Sequence, residues 1–144
     1  MSQLGPLEEA PAYMIYRLSR LLRQSLKQTL GANGIDVTSE QYFLLYRLLQ
    51  KDGLTQSQLA DKVLGDYPNI TRHIDSLAKK GFVERKSDET DRRKYLISLT
   101  SEGREQMEKI IPVIQKERDR LFGHIASKDM DGFKQLIRVI QEKL

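Results

Sequence analysis

Residues 70–103, ITRHIDSLAKKGFVERKSDETDRRKYLISLTSEG, decide the fold, because a helix, a β-hairpin and the start of another helix follow one another there. At about 100° per residue, Ile70, Ile74 and Leu77 fall on one face of the first helix and should pack inward. Gly81 follows two lysines and predicts the end of this helix. The opposite, polar face is therefore left for solvent or for a partner.

The hairpin has predicted strands at residues 82–86 and 95–99, with a charged loop between them. Its charges nearly cancel, because five basic residues stand against four acidic ones. The basic residues are Arg85, Lys86, Arg92, Arg93 and Lys94, and the acidic ones are Glu84, Asp88, Glu89 and Asp91. Shape therefore matters more than net charge, since a narrow tip can place an arginine in a DNA minor groove, where negative potential is concentrated.

Upstream, the segment 12–30 carries apolar residues at three- and four-residue spacing, which predicts a first helix that ends near Asn33-Gly34. Thr38 and Gln41 form the pattern of a capping box and predict the start of a second helix.

The same box recurs at Thr55 and Gln58 and predicts a short third helix, expected to close at Gly65. Asp66 is the predicted N-cap of the fourth helix, which contains the inward face described above.

Downstream, Thr100 is the predicted N-cap of a long helix in which Pro112 should produce a kink. Ser127 is the predicted cap of a last helix with a heptad-like apolar repeat to Leu144. These elements predict a mainly α (α+β) chain in which helices at both ends flank two short helices and a hairpin.

Two short helices, a turn and a hairpin form a winged helix-turn-helix, and here the chain resembles the MarR (multiple-antibiotic-resistance regulator) family of transcription factors. Four motifs carry the resemblance: Leu77-x-x-x-Gly81, Val83-x-Arg85, Asp91-x-Arg93 and Leu99-Thr100-x-x-Gly103. The order of elements agrees from Ala12 to Leu144. The resemblance implies a single domain over 1–144, with dimerisation helices at 10–31 and 101–144 and a winged helix DNA-binding region, with a two-stranded β-hairpin wing, at 35–100.

The polar face of the fourth helix is the predicted DNA-reading surface. Its candidate contacts are Pro68, Asn69, Thr71, Arg72, His73, Ser76 and Lys79. The planar fork of Arg72 can pair with the O6 and N7 atoms of guanine, and Asn69 can pair with adenine. Thr71 and His73 lie on the flanks of the helix and suit phosphate contacts better. The alternative is an ordinary solvated helix face.

In the wing, the resemblance assigns Arg92, Arg93 and Lys94 to DNA, with Asp91 orienting an arginine. The alternative is an exposed network of ion pairs that keeps the sheet edge soluble.

The terminal helices carry more large apolar residues than the region 35–100 can cover, which predicts a homodimer. A two-fold dimer would set two recognition helices about one DNA turn apart, on a pseudo-palindromic operator. The alternative is an intramolecular bundle in a monomer.

Members of the family commonly bind small anionic or phenolic effectors between the dimer helices and the winged region. The resemblance therefore suggests a ligand site lined by Tyr13, Arg17, Arg20, Tyr42 and Tyr46. The alternative is that these tyrosines belong to the core or to an interface.

Composition narrows the function further. The 24 basic and 20 acidic residues leave a net charge of +4, and a pI near 9.3 is compatible with a nucleic-acid partner. The absence of cysteine excludes disulfides, thiolate metal sites and the thiol-based sensing branch of the family. With His73 and His124 far apart and no nucleophile motif, we expect no enzyme, no metal and no cofactor. A signal peptide or membrane span is also absent, so we expect a cytoplasmic protein.

The sequence therefore predicts a sequence-specific DNA-binding transcriptional regulator, acting as a repressor that an effector releases. The alternative is a winged helix used for protein interaction or RNA binding without operator specificity. Arg72, at the centre of the exposed recognition face, favours DNA.

Overall fold

The computed structural model describes residues 3–63 and 67–144, in which six α-helices surround a three-stranded antiparallel sheet. The helices are α1 (Pro11–Ala32), α2 (Ser39–Gln50), α3 (Gln56–Val63), α4 (Tyr67–Lys79), α5 (Ser101–Phe122) and α6 (Ser127–Gln141). The strands are β1 (Leu54–Thr55), β2 (Val83–Ser87) and β3 (Tyr95–Leu99), and a 3-10 turn lies at Leu7–Glu9. Gly65 and Asp66, the predicted end of the third helix and cap of the fourth, lie outside the described residues. Within the described ranges, no helix is long and apolar enough to cross a membrane.

The sheet confirms the predicted hairpin and adds a strand to it. β2 and β3 pair in antiparallel register from Val83 opposite Leu99 to Ser87 opposite Tyr95. β1 pairs with the other edge of β3, so the strand order is β1-β3-β2 and the predicted two-stranded unit is three-stranded. A strand of two residues is too short to give a periodicity signal in the sequence. β1 forms because the outer edge of β3 is available for pairing.

Both predicted capping boxes are confirmed. Gln41 N donates to Thr38 Oγ1, and Thr38 N donates to Gln41 Oε1, each at 3.2 Å. In the second box, Gln58 N donates to Thr55 Oγ1 at 3.1 Å, and Thr55 N donates to Gln58 Oε1 at 2.9 Å. The prediction for Ser127 is wrong, because Ala126 holds the N-cap position of α6 and provides no side-chain bond.

The hydrophobic core lies where α2, α3, α4, the sheet and the first half of α5 meet. Its fully buried side chains are Leu30, Leu44, Leu45, Leu48, Leu54, Leu59, Ile70, Ile74, Leu77, Ile97, Met107 and Ile110. Each such side chain contributes roughly 1.5–3 kcal/mol relative to exposure. Among the residues of α1 only Leu30 is buried, and no residue of α6 is. The winged region therefore has its own core, whereas the terminal helices leave apolar surface uncovered.

A close junction joins α4, β2 and α5. Thr100 N donates to the carbonyl oxygen of Phe82 at 3.1 Å, and Thr100 Oγ1 donates to that of Gly81 at 2.5 Å. Thr100 Oγ1 also accepts from Gly103 N at 3.0 Å, as an N-cap should. A Cβ atom on Gly103 would lie 2.0 Å from the Phe82 carbonyl oxygen, so only glycine fits at this point of α5.

We predict that Gly103→Ala lowers the melting temperature by roughly 3–10 °C, because the added methyl group forces α5 away from Phe82. Gly132→Ala is the matched control, since it lies inside α6 with open space around its Cβ position. Alanine there should leave the melting temperature unchanged or raise it, because alanine favours helix. Thermal unfolding followed by circular dichroism measures both. Equal effects of the two substitutions would contradict the close approach at Gly103.

Candidate nucleic-acid interface and the adjoining cavity

The two faces of α4 differ as the sequence predicts. Ile70, Ile74 and Leu77 are buried against the core. Of the predicted contacts, four are exposed and three are half-buried. The exposed residues are Pro68, Asn69, Arg72 and Lys79, and the half-buried ones are Thr71, His73 and Ser76.

Arg72 and Asn69 contact each other on the exposed face. One terminal nitrogen of the Arg72 guanidinium donates to the side-chain oxygen of Asn69. A guanidinium has five N–H donors, so this bond leaves Arg72 able to present further donors to a base edge. It also restricts a long side chain that would otherwise lose rotamer freedom on binding. The pair is therefore a pre-oriented donor group on the exposed face of α4.

Ser76 and Thr71 contact neighbouring helices. Gln41 Nε2 in α2 donates to Ser76 Oγ at 3.2 Å, and Gln56 Nε2 in α3 bonds to Thr71 Oγ1. These hydroxyls hold α4 against the two helices behind it. A DNA contact from either one stays a prediction, and in this structure their polar atoms already serve packing.

The wing tip is a tightly bonded turn. Asp88 Oδ1 accepts from the backbone N and the side-chain hydroxyl of Thr90 at 2.9 and 2.8 Å. These two hydrogen bonds lower the pKa of Asp88. Asp88 N and Lys94 O close the loop at 2.9 Å. The tip therefore has a defined shape before any partner arrives.

Asp91 holds the neighbouring arginine in the wing. Its Oδ1 accepts from Arg93 N at 3.1 Å and lies 3.3 Å from Arg93 Nε. The Arg93 side chain is nevertheless 92% exposed, and Arg92 and Lys94 are exposed as well. The geometry is the one expected if Asp91 orients an arginine that points away from the protein.

Two further ion pairs were not predicted from the sequence. Arg85 Nη2 in β2 lies 2.6 Å from Asp75 Oδ1 in α4, so it links the wing to the reading helix. Asp52 accepts from Leu99 N at 2.9 Å and pairs with Arg104 at 2.5 Å. Each pair joins two different elements of the fold, and neither has a local sequence signal. Among the described residues, no three His, Asp or Glu side chains gather as metal ligands.

A cavity of about 560 Å³ adjoins the winged region, between α1, α2 and α5. Its main apolar and aromatic lining residues are Leu22, Leu26, Tyr42, Phe43, Tyr46, Ile114, Leu121 and Phe122, and its charged ones are Arg47, Lys62, Glu117 and Arg118. The volume falls in the usual range for small-molecule sites. Burial raises the pKa of the Tyr42 hydroxyl above its ordinary value.

The five predicted ligand residues do not form one site within a protomer. Tyr42 and Tyr46 line the cavity, whereas Tyr13 and Arg17 line a separate groove on α1, and Arg20 lies over the ring of Tyr16 at 6.0 Å. The reason is the straight geometry of α1. Tyr13 precedes Leu22, the first cavity-lining residue of α1, by nine residues, which is about 13 Å along the helix.

Glu117 is a buried carboxylate at the cavity wall that the sequence analysis did not single out. It accepts from Arg120 Nε and Nη2 at 3.0 and 2.5 Å and from Ser25 Oγ at 3.0 Å. The hydrogen bond from Arg120 is the main reason why the pKa of Glu117 is lowered. The spacing of three residues between Glu117 and Arg120 was a usable signal for this pair. The acid is thus neutralised by its partner, and the remaining cavity charges are positive.

Comparisons with known proteins agree with this geometry. Residues 37–95 match the family model of the MarR family. An uncharacterised HTH-type transcriptional regulator of Bacillus subtilis, YdcH, is 25% identical over 140 residues, which is 93% of each chain. The structure of the transcriptional repressor CouR bound to a 23-mer DNA duplex superposes with a TM-score of 0.85 at 21% identity, over 98% of this chain and 99% of that one. PcaV from Streptomyces coelicolor, solved with its natural ligand, gives a TM-score of 0.83 at 24% identity, over 99% and 98%.

The exposed polar face of α4 and the β2–β3 hairpin beside it define a winged helix-turn-helix protein. Through residues 37–95 the chain is similar to the MarR family of transcriptional regulators. The relatives found by sequence are named as regulators of transcription.

Proposed function

We propose that the protein is a repressor that binds a pseudo-palindromic operator as a homodimer and is released by a small aromatic anion. The observation that carries the DNA-binding part is the exposed Arg72 of α4, presented beside a wing tip on which Arg92, Arg93 and Lys94 are exposed. An α-helix with an exposed polar face fits a major groove, and the narrow tip of a β-hairpin fits the adjoining minor groove. Arg72 and Asn69 then read bases, while the flanking polar residues and the wing contact the backbone and the minor groove.

A protein-interaction or RNA-binding module is the second candidate. Such a module needs no pre-oriented guanidinium on its reading face, whereas Arg72 is held there by Asn69. The DNA-bound CouR structure, which has the same fold, also favours the first candidate.

The homodimer follows from the terminal helices. The apolar stripe of α6 is exposed, with Phe133, Leu136, Ile137, Val139 and Ile140 between 38% and 64% accessible. On α1, Met14, Ile15, Leu18 and Leu21 are exposed in the same way. A helix of 15 residues with no buried side chain is marginal in water, so α6 needs a partner surface. A second copy supplies the same stripes and gives a closed two-fold interface.

We expect Arg72→Ala to weaken operator binding about ten- to a hundredfold and to relax base preference at one position in each half-site, because a bidentate base contact is lost. The DNA is a duplex that the wild-type protein selects from a random pool. Lys27→Ala, which removes an exposed charge from α1, is the control and should change binding little. Fluorescence anisotropy at two salt concentrations gives the affinities. An Arg72→Ala protein with unchanged affinity and base preference would contradict the assignment.

Ile137→Glu should turn the dimer into a monomer and reduce operator affinity at least tenfold, because a charge is buried in the apolar interface. Gln135→Glu places the same charge on a polar position of α6 and serves as the control. Light scattering coupled to size-exclusion chromatography measures the molecular mass of the wild-type protein and of both variants. A wild-type protein that is monomeric at micromolar concentration would contradict the dimer.

The effector part of the proposal rests on the lining of the cavity. Four aromatic rings line the cavity, and Arg47, Lys62 and Arg118 leave a positive balance because Arg120 pairs with Glu117. This combination suits an aromatic body with an anionic group, such as a phenolic acid. Binding between α1, α2 and α5 would change how the winged region sits on the terminal helices. The ligand then favours the non-binding arrangement by its difference in affinity for the two states.

In a panel of phenolic acids, we expect at least one to raise the melting temperature and weaken operator binding. Arg118→Gln should reduce the affinity for that compound about tenfold, because a charge-assisted hydrogen bond is lost. Arg17→Gln alters the separate groove on α1 and is the control. If only Arg17→Gln lost binding of the compound, the effector site would be the groove on α1 and not the cavity. A panel in which no compound has either effect would contradict the effector class.

A further inference from the structure

The ion pair between Asp75 and Arg85 joins the two elements that are to contact DNA. Asp75 lies on α4 with its side chain 51% exposed, and Arg85 lies on β2 with its side chain 32% exposed. Their Oδ1 and Nη2 atoms are 2.6 Å apart. Arg85 stands opposite Ile97 in the β2–β3 register, two pairs above the buried Val83 and Leu99 at the base of the hairpin. The contact therefore sits where the wing leaves the body of the protein.

An exposed acid on a DNA-reading helix is unfavourable by itself, because DNA phosphates repel it. Arg85 neutralises Asp75, whose negative charge would otherwise weaken the attraction between DNA and Arg72 on the same helix. Exposed ion pairs add little to folding stability, so stability is a weak reason for the pair. Its larger effect is geometric, since it fixes one point of the wing to one point of α4.

The other connection between α4 and the wing is short and includes a glycine in a left-handed conformation. Gly81 has φ 82° and carries the chain from α4 into β2. The Thr100 junction holds this turn at the base of the hairpin, but it lies on the side away from the tip. Arg85 is the contact on β2 that resists tilting of the hairpin relative to α4.

We propose that Asp75 and Arg85 are a positioning pair that sets the angle between the reading helix and the wing. The pair thereby sets the separation between the major-groove and minor-groove contacts in each half-site. Neither residue reads a base. The inference rests on the proposed operator binding and concerns how the two contact elements are held in register on one duplex.

A competing role for Arg85 makes the opposite prediction. If Arg85 left Asp75 to bind a phosphate, then Asp75 would compete with DNA for the guanidinium. Asp75→Asn would in that case tighten operator binding, since both the competition and the repulsion would be removed. As a positioning pair, Asp75→Asn weakens binding even though it removes a negative charge from the interface.

The test compares full-length Asp75→Asn, Arg85→Gln and the double variant on the duplex selected by the wild-type protein. Lys86→Gln is the matched control, because Lys86 is the next residue of β2 and pairs with Glu84 at 3.0 Å instead of with α4. Affinity and hydroxyl-radical footprints are measured for each, with melting temperatures to show that the variants are folded.

We expect Asp75→Asn and Arg85→Gln each to weaken binding by about three- to tenfold, and the double variant to be no worse than either, because both remove one interaction. Protection at the outer minor grooves should fade while the central major-groove protection persists, and Lys86→Gln should keep the full pattern.

Tighter binding by Asp75→Asn, additive losses in the double variant, or unchanged outer protection would overturn the positioning role while leaving operator binding intact. A wild-type protein that selects no duplex from the pool would overturn operator binding and this role together.

Discussion

The hydrogen bonds of Thr100 hold the winged region together, because one residue meets the end of the reading helix, the first wing strand and the start of α5. Its backbone N and hydroxyl bond to the carbonyl oxygens of Phe82 and Gly81, while its hydroxyl also caps α5. The absence of a side chain at Gly103 lets α5 approach this point. Any movement of α5 is therefore passed directly to the base of α4 and of the wing.

The distribution of buried surface divides the molecule into a part with its own hydrophobic core and a part whose apolar side chains are exposed. Residues from α2 through the first half of α5 form a continuous core and support the winged region without a partner. The outer parts of α1 and the apolar stripe of α6 leave their side chains exposed. The cavity lies on the border between these two parts, lined by α1, α2 and α5. A ligand there would touch α1 and also α5, which Thr100 joins to α4 and the wing, so the position suits the proposed effector.

Local signals predicted most of the fold. Thr38 with Gln41, Thr55 with Gln58, and Thr100 each form bonds within four residues, so the sequence alone determines them. The inward face of α4 follows from helix periodicity in the same way. Non-local contacts were missed because they depend on tertiary packing. β1 requires the edge of β3 and the Asp75–Arg85 pair requires the wing to fold back on α4.

The candidate site was predicted unevenly for the same reason. Exposure of Arg72 and of the wing arginines could be inferred from periodicity and from the hairpin, and the structure shows both sets exposed. Within one protomer, distance along α1 separates Tyr13 and Arg17 from Tyr42 and Tyr46, so their grouping in one site stays a prediction. Glu117 was overlooked because a buried acid on a largely polar helix looks like any surface acid until its partners Ser25 and Arg120 are seen.

The most direct measurement of the central claim is a crystal structure of the full-length protein with the duplex that it selects. We expect two protomers whose α4 helices enter successive major grooves about 34 Å apart, each with the Arg72 guanidinium on a guanine edge and the wing arginines in the flanking minor groove. A complex in which α4 faces away from the DNA, or in which one protomer binds alone, would contradict it.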